Sequence, residues 1–308
     1  MRLVRSTAAA GLAGRGCVLT IGNFDAVHLG HRRILANLRS HGDRLGLPAV
    51  VMTFDPHPQE YFRGEQRYPR LTNLTTRYFA LAECGIDIML SLRFDDRLAS
   101  TEATAFVREI LVDALAVRYL LVGDDFRFGR DRQGNFDLLS ALADEMGYDL
   151  ERTETLSMHG ERISSTRVRK LLEAGDLGAA AELLGRPYAL AGRVIRGQRL
   201  GRQWGFPTLN VPINHKPALT GVFAVRVRGL GEGPLPGVAN LGTRPTVGGL
   251  RTLLEVHLFD FDDEVYGSRV CVEFAEKIRP ERKFDGFEAL QAQILKDCVR
   301  ARDILGLA

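Results

Sequence analysis

Gly22-Asn23-Phe24-Asp25-Ala26-Val27-His28-Leu29-Gly30-His31 joins the apolar run Cys17–Gly22 to a segment, Gly30–Leu38, in which Ile34, Leu35 and Leu38 share one helical face. A buried strand feeding a helix through such a turn is the opening unit of a doubly wound α/β sheet. Its loop lies at the carboxyl edge, where open sheets bind ligands. A helix starting at Gly30 directs free N–H groups and a positive dipole end at that loop, which suits phosphate. His28 and His31 are three apart and can point the same way there. Two imidazoles so placed are suited to donate hydrogen bonds to a phosphoryl group gaining charge, and Gly30 allows a nucleotide to approach closely. The same residues also describe a plain strand–helix loop with two surface histidines.

Outward from this loop, Ala49–Phe54, Ile86–Leu92 and Tyr119–Val122 read as further buried strands. Helical spacing falls around Thr75–Cys84 and over Glu102–Ala116, with Phe106, Val107, Ile110, Leu111 and Leu115 as its apolar positions. Apolar strands alternating with helices predict a parallel sheet covered on both faces. Helices at Ser165–Glu173 and Asp176–Leu184 close this half, and the character changes at Gly185-Arg186-Pro187. From there Gly192–Arg196, Val222–Val227, Leu253–Leu258 and Val270–Phe274 are β-rich runs without intervening helices, the pattern of a small antiparallel barrel. A last helix, Phe287–Ile304, carries Leu290, Ile294, Cys298 and Val299 on one face, with Asp285 and Glu288 as a capping box. The expected architecture is α/β plus β, with domains at residues 1–186 and 187–308.

Composition excludes several classes. The chain has 308 residues, long enough for two cores. Its 41 Lys and Arg against 38 Asp and Glu are too evenly balanced for a partner of nucleic-acid backbones. The four cysteines, Cys17, Cys84, Cys271 and Cys298, form no CxxC pair, which argues against a disulfide framework or zinc site and for a reducing compartment. Arg2 and Arg5 before Ala8-Ala9-Ala10 start like a signal peptide, but Gly11, Gly14 and Arg15 break the apolar stretch, so an ordered lead-in is expected. No run approaches a membrane span. These features predict a soluble, cytoplasmic protein with neither nucleic acid nor membrane as partner, and leave the oligomeric state open.

A second anion-seeking segment is Ile163-Ser164-Ser165-Thr166-Arg167-Val168-Arg169. Ser164 is a good N-cap, and Ser165, Thr166 and Arg167 would line a helix start that carries a bidentate cation. GNFDAVHLGH together with ISSTRVR resembles the nucleotidyltransferase superfamily, in the form found in prokaryotic riboflavin kinase/FAD synthetases. The resemblance implies attack of the FMN phosphate on the α-phosphorus of ATP, with pyrophosphate leaving. It assigns His28, His31 and Arg167 to catalysis, and Gly22, Asn23, Phe24, Asp25, Gly30, Ser164, Ser165 and Thr166 to the nucleotide. Thr53-Phe54-Asp55-Pro56-His57-Pro58 and Val122-Gly123-Asp124-Asp125-Phe126-Arg127-Phe128-Gly129 match the same family. They imply flavin contacts by Phe54, Pro56, Pro58, Asp124, Phe126 and Phe128, against ordinary core packing of the aromatics. Ala26 stands where the family usually has Gly, and costs roughly 1–2 kcal/mol if that residue takes a positive φ, which would weaken adenylyl transfer. Arg77 stands where Lys is more frequent.

The second half has no GxxxxGK[ST] loop, so phosphoryl transfer there needs another architecture. Gly192, Gly197, Gly201 and Gly205 precede Phe206-Pro207-Thr208-Leu209-Asn210. Glycine-rich turns can cradle phosphates or simply turn a barrel. Thr208 and Asn210 place one oxygen each on the same face of an extended segment, suited to Mg²⁺ with ATP phosphates. That stretch, Gly221–Val225, Gly237–Thr246, Leu254–Phe261, Tyr266-Gly267 and Ile278–Phe284 follow the riboflavin kinase pattern in order. By that resemblance Glu255 is the general base for the ribityl 5′-hydroxyl, Gly197, Gly201, Thr208 and Asn210 hold ATP, and Thr208 and Asn210 hold Mg²⁺. Arg279 is a candidate for flavin or phosphate contact, against solvated surface charge. His257 reads as a packed or hydrogen-bonded residue. Rival readings are a non-catalytic flavin-binding module, a nucleotidyltransferase for a lipid or pantetheine phosphate, and a kinase with an impaired adenylyltransferase site. The co-occurrence of His28, His31, Thr208, Asn210 and Glu255 speaks against the first.

Overall fold

Short runs form the first sheet, apolar above all in its central strands, which are covered on both faces. In chain order they are β1 (Arg2–Val4), β2 (Cys17–Ile21), β3 (Ala49–Asp55), β4 (Ile88–Arg93), β5 (Val117–Gly123) and β6 (Asp149–Thr153). All pairings are parallel, in the spatial order β1-β4-β3-β2-β5-β6. Chain order therefore runs outward from β2 through β3 to β4, then returns to β5 on β2's other side. The carboxyl ends of β2 and β5 flank the point of reversal, where open sheets leave a ligand crevice. The computed structural model describes residues 1–63, 68–197, 205–246 and 249–307. Its two compact units are Met1–Tyr68 with Arg77–Ser164, which hold this sheet, and Pro69–Thr76 with Ser165–Ala308.

In the second unit, β9 (Ala189–Arg193), β10 (Leu209–Ile213), β11 (Gly221–Arg228), β12 (Leu235–Thr246), β13 (Gly249–Leu258) and β14 (Arg269–Arg279) follow the hairpin β7 (Ser157–Met158) and β8 (Glu161–Arg162) of the first unit. They form an antiparallel sheet, β10-β13-β12-β11-β14-β9. A bridge between Ile195 and Asn210, with Ile195 N–H donating to Asn210 O at 2.8 Å, brings its two edges together into a nearly closed barrel. Strand alternation sorts the side chains. Phe223, Val225, Leu254, Val256, Val272 and Phe274 are buried on one face, and Val222, Ala224 and Val238 on the other pack against Ala301 and Leu305 of the terminal helix Phe287–Leu305.

Several expectations are corrected. The terminal helix is capped at Gly286 with no side-chain bond, so Asp285 lies one residue outside and no capping box forms. Val299 is 62 % exposed because the buried face runs through Asp297, Ala301 and Leu305, and two residues, about 200° of turn, put it on the opposite side. The helix expected at Gly30–Leu38 begins at Leu29 and continues to Leu45, ending on left-handed Gly46. The expected helix over 102–116 is a short α turn, Ala103–Ala105, running into a π-helix, Phe106–Ala114. The expected strand at Gly192–Arg196 is β9, three residues earlier. Strands β6, β10 and β12 and the helix Phe136–Met146 were not expected as elements. The helices Ser165–Ala174 and Leu177–Leu184 belong to the second unit, where the Lys277 side chain of β14 packs against Gly175.

The terminal helix is fastened by a bidentate pair. Arg279 Nε lies 3.1 and 3.0 Å from the two Asp297 carboxylate oxygens, and Nη2 lies 2.8 Å from Oδ2. The side chains are 17 % and 4 % exposed. Removing one partner strands the other charge, at a cost of about 3–5 kcal/mol when buried. Asp297→Ala is expected to lose about 3 kcal/mol in urea denaturation, and Asp297→Leu with Arg279→Met to recover most of it.

Candidate active sites

The loop after β2 stands under strain. Phe24, Ala26 and Val27 have φ of 47°, 76° and 45°, a region that L-residues, β-branched valine above all, rarely adopt. Burial holds it there: Phe24, Asp25, Ala26 and Val27 are at most 3 % exposed. Thr53 Oγ1 on β3 donates to Asn23 O at 3.4 Å and accepts from Arg77 Nη1 at 3.0 Å. Such strain persists where the surroundings over-determine it, typically at functional sites.

His28 caps the helix Leu29–Leu45: its Nδ1 accepts the His31 backbone N–H at 3.2 Å. That bond fixes the neutral tautomer, with the proton on Nε2. The His28 and His31 rings stack at 3.7 Å and 14°, and Phe24 lies 4.8 Å from His31 on another side. Burial first, then a charge on His28 whenever that ring is protonated and the charges of Arg77 and Arg162, push the His31 pKa well below the usual range, so the ring is neutral at neutral pH. His31 Nδ1 and Asn23 Oδ1 are buried without a hydrogen-bond partner among the described residues. Unsatisfied buried polar atoms call for an explanation, and a polar ligand supplies one.

Around this centre, Phe54 meets Phe94 edge-on at 5.8 Å. Pro56 follows a cis bond from Asp55, and Pro58 opens the helix Pro58–Phe62, which is capped by His57. Asp124 is exposed, accepts from Thr155 Oγ1 at 2.8 Å and lies 3.7 Å from Arg162. The Thr155 bond lowers its pKa most, burial opposes it, and Arg162 lowers it further. Phe126 stays half-buried, whereas Phe128 is a core residue, stacked on Phe126 at 5.4 Å and in contact with Phe106 at 5.5 Å. Ser164 precedes the helix Ser165–Ala174, which Ser165, Thr166 and Arg167 open in the second unit.

In the barrel, register does what sequence spacing cannot. Glu255 on β13 is directly opposite Asn210 on β10 and Asn240 on β12, so three polar side chains share one row on one face. Asn210 is 7 % exposed, and its Nδ2 donates to Thr208 O at 3.2 Å, which turns the amide oxygen away as the acceptor. A Cβ at Gly197 would stand 2.5 Å from Asn210 Nδ2, so only glycine leaves room for this amide. Gly197, Thr208 and Asn210 line a pocket with Leu258, Asp262 and Tyr266. Asn240 Nδ2 also reaches Glu281 Oε1 at 3.4 Å. His257 Nδ1 is 2.9 Å from Pro207 O and so donates to it, a structural bond as expected. The Arg279 guanidinium is committed to Asp297, not to solvent. Gly201 lies outside the described residues.

Two family models match: FAD synthetase over residues 12–167 and riboflavin kinase over residues 184–305. Curated relatives named bifunctional riboflavin kinase/FMN adenylyltransferase match almost end to end. The Escherichia coli K12 protein is 50 % identical over 293 residues, covering 95 % of this chain and 94 % of its own. Those of Pseudomonas fluorescens and Haemophilus influenzae are 46 % and 44 % identical, covering 98 % of this chain and 97 % and 98 % of theirs. The chain belongs to the bifunctional riboflavin kinase/FMN adenylyltransferase family. A solved Streptococcus pneumoniae structure titled a macrolide-efflux protein shares the fold, with a TM-score of 0.74 and 26 % identity over 96 % of both chains. No helix among the described residues of this family member is long and apolar enough to cross a membrane.

For this member of the family, the sequence marked Arg77 only as a departure from the family pattern, and Arg162, Asn240 and Glu281 had no individual signal. Arg162 carried no signal, since its pairing with Asp124 and Asp125 depends on where the hairpin β7–β8 lies. Strand alternation could have placed Asn240 on a face, but not opposite Glu255.

Two measurements test this description. Ala26→Gly releases about 1–2 kcal/mol of strain and forfeits about 0.8 kcal/mol of methyl burial. Its urea midpoint is expected to match or exceed the parent's, whereas Ala224→Gly in a buried strand lowers it. His31 is neutral in the fold, while the unfolded chain takes up a proton below about pH 6.5. Stability therefore falls as pH drops below that point, by up to about 1.4 kcal/mol per pH unit, until His31 itself titrates in the fold. His31→Gln is expected to flatten that slope between pH 6.5 and 5.5.

Proposed function

We propose that residues 187–308 phosphorylate riboflavin to FMN and residues 1–186 adenylylate FMN to FAD, each at its own site. Family membership gives the two overall reactions. The observation that carries their assignment to residues is that each unit holds its own donor set: stacked His28 and His31 beside an orphaned Asn23 oxygen in one, and the Asn210–Glu255–Asn240 row in the other.

In the barrel, Glu255 takes the proton of the ribityl 5′-hydroxyl. The freed oxygen attacks the γ-phosphorus of ATP, and ADP leaves. Mg²⁺ fits beside Thr208 and Asn210, whose neutral oxygens are hard donors and whose amide nests against Gly197. When bound it would offset the charge of the ATP phosphates. Asn240 orients Glu255 from the neighbouring strand.

In the α/β unit, an oxygen of the FMN phosphate attacks the α-phosphorus of ATP, and the bond to pyrophosphate breaks. The FMN phosphate is already ionised, so no general base is needed. His28 donates from Nε2 and neutral His31 from its ring N–H to phosphate oxygens as charge builds on them. Asn23 seats the triphosphate, with Phe54 and Phe126 toward the flavin. Ser164, Ser165, Thr166 and Arg167 remain the pyrophosphate-binding residues on sequence pattern alone. A reducing, ATP-supplied compartment, the cytoplasm, suits the four free cysteines.

Purified protein incubated with riboflavin, ATP and Mg²⁺ is expected to yield both FMN and FAD on chromatography. Glu255→Gln should abolish FMN formation yet convert supplied FMN to FAD; His28→Ala with His31→Ala should do the reverse. Loss of both activities in either variant would refute separate sites, and untouched riboflavin with the parent would refute the kinase assignment.

A further inference from the structure

Arg77 is a buried charge that this mechanism leaves unused. It is 2 % exposed, on the helix Leu74–Glu83, at a point in the first unit where a guanidinium is costly to bury. Its Nη1 donates to Thr53 Oγ1, and Thr53, wholly buried on β3, donates in turn to the carbonyl of Asn23. The relay ends on the residue whose own Oδ1 is buried and unpartnered, at the start of the strained loop. We propose that Arg77 is a positioning residue of the adenylyl-transfer site: through Thr53 it holds the Asn23 loop in place, and its fixed positive charge draws in the nucleotide's phosphates. This rests on the adenylyl-transfer reading of that site.

The electrostatics of the histidine pair support it. The field of Arg77 reaches these rings: with burial foremost, then His28, it helps keep His31 neutral, and Arg162 adds to it. A neutral imidazole beside a fixed cation divides the work, the guanidinium supplying charge and the ring a directed hydrogen bond.

The test follows His31 by NMR titration of its imidazole in ligand-free protein, alongside the KM for ATP in FMN adenylylation. Riboflavin phosphorylation by the same chain is the internal control. Arg77→Gln is expected to raise the His31 titration by roughly half a unit or more and the ATP KM about tenfold, with riboflavin phosphorylation unchanged. Arg77→Lys should keep the parental titration and recover part of the KM. Thr53→Val, which cuts the relay but spares the charge, should raise the KM and leave the titration alone. Folded, kinase-active Arg77→Gln with both His31 and the ATP KM unaltered would overturn the proposal. If Arg77→Gln does not fold, a parental KM in Thr53→Val overturns the relay, and an upward-shifted His31 in Arg77→Lys overturns the charge. A parent that makes no FAD from FMN would sink the adenylyl-transfer reading instead, while the titration would still report where Arg77 puts its charge.

Discussion

Parallel strands need crossovers, and a sheet whose crossovers leave in both directions from one strand must open beside it. In the first unit that strand is β2, with β3 on one side and β5 on the other. The loop that leaves β2 starts beside that opening, with Phe24 to Val27 packed inward. The rest of the site follows from this constraint. His28 turns the chain into a helix and, in capping it, fixes its own tautomer. Thr53 arrives from β3, and the segment Gly123–Phe128 leaves β5.

The barrel reaches the same end by a different constraint. Antiparallel register is exact to one residue, since a slip by one would turn every side chain to the other face. Closure at Ile195 and Asn210 and the register of β10 on β13 together put the Asn210 amide opposite Glu255. The terminal helix covers the part of that face lined by Val222, Ala224 and Val238, and the Arg279–Asp297 pair fixes it there. One face of the same sheet thus serves packing at one end and polar residues at the other.

Charge is handled differently in the two sites. In the first unit a buried guanidinium lies near the stacked His28 and His31 rings, and burial holds His31 neutral. In the second a carboxylate stands between two amides on a half-buried strand face. Backbone strain marks the first site: three residues of the Asn23–His28 loop sit at positive φ, and Ala26 is among them.

The sequence by itself determined the local order. The apolar runs Cys17–Gly22, Ala49–Phe54 and Tyr119–Val122, the helix after Gly30, and the shift to β-rich runs after Pro187 were legible because each depends on a few neighbouring residues and their period. His28, His31, Asn23, Thr208, Asn210 and Glu255 could be named there as candidates, because their motifs are confined to single loops or strands. Short or polar elements such as β6, Asp149–Thr153, escaped, since their stability comes from the strand beside them rather than from their own residues. Tertiary structure alone decided that Phe128 belongs to the core, that Arg279 belongs to Asp297, and that Arg77 lies one hydroxyl away from Asn23. Each is a meeting of residues 18 to 54 positions apart or a choice between two faces, and such contacts are set by packing and register, which no local pattern encodes.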